Sequence, residues 1–137
     1  MRNIDPALVT LLDTVRKTYE SIPERFNQDL SAQRMMILTR VVSRLVSDVI
    51  PCDGFSEKGI PWSWLIVPDR FDEYVIDLRP HNIYPGPVLI RLKAPHVDIV
   101  HYTQSGPMLW APEDPRLKEV AEIVDATEGA RRFLALP

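Results

Sequence analysis

Apolar residues recur three and four apart at both ends of this chain and alternate with polar ones through its middle, so helices are predicted to flank a sheet. Leu8, Leu11, Leu12, Val15, Tyr19 and Ile22 form one apolar stripe, while Asp13, Arg16, Lys17 and Glu20 turn elsewhere. Asp5 and Pro6 suit the start of that helix: a carboxylate accepts free backbone N–H groups, and proline has none to waste. Pro23 stops it, giving a helix over about residues 6–21. The segment ERFNQDL reads as a connection with room for one helical turn, with Phe26 tucked beneath it. Ser31 then caps a second helix running to about Ile50 through Met35, Leu38, Val41, Val42, Leu45, Val46 and Val49. That stripe is wide, which predicts burial on more than one side.

Pro51 ends this helix, and PCDGFSEKGIP, with two glycines and two prolines, reads as a loop. Trp62–Val67 is rich in aromatic and β-branched residues, and Pro68-Asp69-Arg70 turns the chain into a second strand over Phe71–Arg79. There Tyr74, Ile76 and Leu78 alternate with Glu73, Val75, Asp77 and Arg79. Val88–Lys93 is predicted as the third strand and His96–Thr103 as the fourth, with Pro85-Gly86 and Ala94-Pro95 as breaks. Such short connections favour an antiparallel meander, because a parallel pair needs a long crossover. Met108, Leu109 and Trp110 add a fifth strand or an apolar plug. Asp114-Pro115 repeats the opening seen at Asp5-Pro6 and starts a last helix through Leu117, Val120, Ala121 and Val124, with a break expected at Gly129.

Strands grouped between helices indicate the α+β class. The expected architecture is two N-terminal helices, a four-stranded antiparallel meander with space for a fifth strand, and a C-terminal helix packed on the sheet. A length of 137 residues with 45% hydrophobic content suits a single compact domain over residues 1–137.

Composition narrows the function classes. A net charge of -3 offers no field to attract phosphate backbones, so nucleic acid is not expected as a partner. The longest apolar stretch, MMILTRVVSRLVSDVI, is broken by Arg40, Arg44 and Asp48, which excludes a membrane span there. The amino terminus shows no apolar core of secretory length, and one cysteine, Cys52, can form no internal disulfide; a soluble protein of the cytoplasm is expected.

The candidate chemistry is sparse. His96 and Asp98 stand two apart on the predicted fourth strand, and His81 lies in the loop after the first hairpin, which together could ligate a metal. Against this, a His-x-Asp pair arises readily on any wet strand face, and His101 falls on the other face with Val97 and Ile99. Cys52 has no local signature of a nucleophile, the serines lack a nucleophile-elbow context, and the five glycines form no phosphate-binding pattern; no cofactor is expected. Arg34, Arg40 and Arg44 read as a partly buried helix face with ordinary ion pairs.

Recognition of a protein is the remaining possibility. Asp69, Asp72, Glu73 and Asp77 make the densest acidic cluster, suited either to solvent or to a basic partner. Core packing accounts for Trp62, Trp64 and Trp110, but tryptophan also anchors interfaces, and Tyr84 stands between prolines in HNIYPGP. In size, mild acidity and want of an active-site motif, the chain resembles small bacterial proteins that bind another protein, such as immunity proteins that neutralise a toxin, or secretion chaperones. The resemblance is of type and assigns no residue. Small acidic secretion chaperones intersperse their helices among strands, whereas two helices come first here.

The expected function is therefore a non-enzymatic protein-binding module of the immunity type, facing a basic toxin domain through Asp69, Asp72, Glu73, Asp77, Trp62, Trp64, Tyr84 and Trp110. The alternatives are a small enzyme or ligand- or metal-binding domain around His81, His96 and Asp98, and a chaperone-like protein or structural dimer. Monomer and homodimer both remain open.

Overall fold

A computed structural model describes residues 5–29, 31–55, 61–68, 74–79, 86–91, 103–104 and 111–135. The elements are α1 (Pro6–Ser21), α2 (Glu24–Asn27), α3 (Ala32–Leu45), β1 (Ile50–Phe55), β2 (Pro61–Ile66), β3 (Tyr74–Asp77), β4 (Val88–Arg91), β5 (Thr103–Gln104) and α4 (Pro115–Ala135). Helices on a grouped antiparallel sheet make this an α+β fold. The strand order is β4-β3-β2-β1-β5, so β1 to β4 form a meander and β5 joins at the β1 edge.

The helix starts follow the capping logic of the sequence. Asp5 accepts the Ala7 N–H at 2.9 Å, Ser31 accepts that of Arg34 at 3.2 Å, and Asp114 accepts that of Arg116 at 2.9 Å. The single turn foreseen in ERFNQDL is α2, and Phe26 packs against the core from it.

The second helix is shorter than its periodicity suggests. α3 ends at Leu45, and Val46 takes an extended backbone while its N–H still reaches the Val42 carbonyl at 2.8 Å. Val49 then leads into β1, so the expected helix end and the expected loop after it contain a strand. Pro51 lies opposite Leu65 of β2, and the described pairing of β5 with β1 is at Gly54 and Phe55. α4 also differs: it runs through Gly129 to Ala135. A Cβ at Gly129 would meet nothing within 4 Å, so this glycine is simply an exposed helical residue and not a stop.

The core centres on α3. Met35, Ile37, Leu38, Val41 and Val42 are buried, and the helix lies against β2 and β1 on one side and against α4 and α1 on others. Val15 and Tyr19 of α1 and Val120 and Ile123 of α4 complete the interior. Polar ties fix the layers: Arg34 of α3 pairs with Glu119 of α4, and Arg16 of α1 donates to the Pro87 carbonyl beside β4 at 3.1 Å.

The β1–β2 register pairs Cys52 with Trp64, Asp53 with Ser63 and Gly54 with Trp62. Because side chains alternate across a sheet, Asp53, Ser63 and Leu65 face α3, and Cys52, Trp62 and Trp64 take the opposite face. The fourth predicted strand lies, apart from Thr103, outside the described residues, as do Met108–Trp110.

Candidate functional site

Three separate parts of the chain meet around one cleft of about 760 Å³: the first turns of α3, the end of β1 with the start of β2, and the first turn of α4. Ala32, Met36, Phe55, Pro61 and Pro115 make its wall largely apolar. Phe55, the last residue of β1, is 42% exposed and presents an aromatic side chain at this wall. A concave apolar surface with a few polar groups is the usual form of a binding site.

The charged groups lining the cleft are Asp53, Asp114 and Arg116, with Gln33 the uncharged polar side chain. Asp53 is buried on β1, and a lone carboxylate there would be costly. It is compensated by Arg40, whose Nη1 donates to Oδ1 at 2.9 Å and whose Nη2 donates to Oδ2, and by the Ser63 hydroxyl, which donates to Oδ1 at 2.6 Å. Two parallel N–H···O bonds fix both the distance and the plane of such a pair.

Asp114 and Arg116 form a second, local unit. The Arg116 Nη2 donates to Asp114 Oδ2 at 2.6 Å and its Nε to Oδ1 at 3.0 Å. These side-chain bonds, followed by the backbone N–H of Arg116, hold the Asp114 carboxyl down to about 2. The same pairing raises the Arg116 guanidinium. Both groups therefore keep their charges at neutral pH, and neither is poised to exchange a proton.

Cys52 is next to Asp53 in sequence but on the other face of the sheet. Burial, and then the neighbouring Asp53 charge, push its thiol up to about 11. Nucleophilic thiols require the opposite shift.

The residues singled out from sequence fall into two groups. Trp62 and Trp64 are buried at 7% and 2% exposure, so they build the sheet interior instead of standing on the surface. Asp77 is also buried, at 2%, where it accepts the Trp62 indole N–H at 3.2 Å and the Arg79 backbone N–H at 2.9 Å. Asp69, Asp72, Glu73, Tyr84 and Trp110 lie outside the described residues, as do His81, His96, Asp98 and His101. Among the described residues, no group of three or more His, Cys, Asp or Glu could hold a metal ion. No described helix is long and apolar enough to cross a membrane.

Of the α3 arginines, Arg34 and Arg40 do form the ion pairs expected of a partly buried face. The sequence pattern does not show the cleft, because Asp53 and Phe55 sit in a segment that reads as a loop. Ser31 and Asp114-Pro115 mark the starts of α3 and α4, whose first turns line it.

No protein-family model, no curated protein and no solved structure matches this chain.

Proposed function

We propose that this chain is a non-enzymatic protein-binding module, of the immunity type in which a small acidic protein occupies a basic toxin domain. The observation that carries the reading is the exposed Phe55 at an apolar cleft whose charged side chains are already paired, Asp53 with Arg40 behind the wall and Asp114 with Arg116. Such a cleft offers apolar area and shape, which suits an uncharged side chain of a protein partner. The fixed charge of Asp114 and the raised thiol of Cys52 support recognition over acid–base or nucleophilic chemistry. A net charge of -3 and the acidic run Asp69, Asp72 and Glu73 support a basic partner, steered by long-range attraction.

A photo-crosslinking side chain at position 55, compared in the native host with one at exposed Glu20 of α1, tests this directly. The expected result is a discrete protein adduct from position 55 alone, reduced by the double reversal Asp72→Lys and Glu73→Lys in a chain that stays folded. Identical adducts from both positions, or none from either, would reject the cleft as the contact. Relief of toxicity when the captured protein is co-expressed with this chain separates an immunity role from other binding.

A further inference from the structure

We draw no further inference here: the strongest candidate, the exposed Phe133 and Leu134 side chains beside Arg131 and Arg132 at the end of α4, is an apolar helix surface for which nothing in the structure shows what covers it.

Discussion

Arg40 grips both carboxylate oxygens of Asp53, thirteen residues further on, and so ties the middle of α3 to β1 at the cleft. Removing one partner of a buried pair strands the other charge. Asp53→Ala is expected to cost about 3 kcal/mol or more, because Arg40 would keep its charge without its acceptor. The double variant Arg40→Met with Asp53→Leu should recover most of that loss. Urea denaturation of the two variants checks both statements; equal loss in both would show that the pair itself, and not the stranded charge, sets the stability.

Trp62 is bound to Asp77 through its indole N–H, across the β2–β3 hairpin. Trp62→Phe keeps an aromatic ring but deletes that donor to a buried carboxylate. The expected cost is about 1–3 kcal/mol, the penalty for an under-satisfied buried polar group. Chemical denaturation followed by circular dichroism measures it, and a neutral result would mean that the other partners of Asp77 suffice.

Gly129 sits in the exposed interior of α4 with open space where a Cβ would be. Gly129→Ala is therefore expected to stabilise the chain by about 0.5–1 kcal/mol, chiefly by restricting the unfolded backbone. A higher thermal midpoint would confirm it; destabilisation would show that α4 does not continue through this residue.

Cys52 should resist thiol reagents at pH 8 until the chain opens, since its ordinary value of 9.0 is raised to about 11 in the folded state. The sign of the linked stability follows from which state holds the proton. Between those two values the unfolded chain loses its proton first, so this contribution is fully present below pH 9 and falls as pH rises toward 11. Cys52→Ala should flatten that part of the stability-against-pH curve, although other groups titrating there set its overall level.

The fold class was legible because its main signals are local. Asp5-Pro6 and Asp114-Pro115 announce their helices, and the aromatic and β-branched run at Trp62–Ile66 announces β2. β1 was not legible, because Pro51, Asp53 and Gly54 are poor strand formers on their own. Asp53 is accommodated by residues distant in sequence, Arg40 and Ser63. Gly129 misled in the opposite direction, since an isolated helical glycine carries only a modest penalty that the packing of Val120 and Ile123 can offset. The cleft shares the problem of β1. Phe55 and Pro115 line it together, and no periodicity relates residues so far apart.

That distance has a thermodynamic consequence. The walls of the cleft come from the start of α3, the end of β1 and the start of α4, so the cleft exists only when all three are docked. Anything that occupies it binds the folded chain and not the unfolded one. Occupancy and folding are thus one linked equilibrium: a saturating partner raises the melting temperature in proportion to the logarithm of its concentration over its dissociation constant, and a chain that loosens at α4 releases its partner before it unfolds.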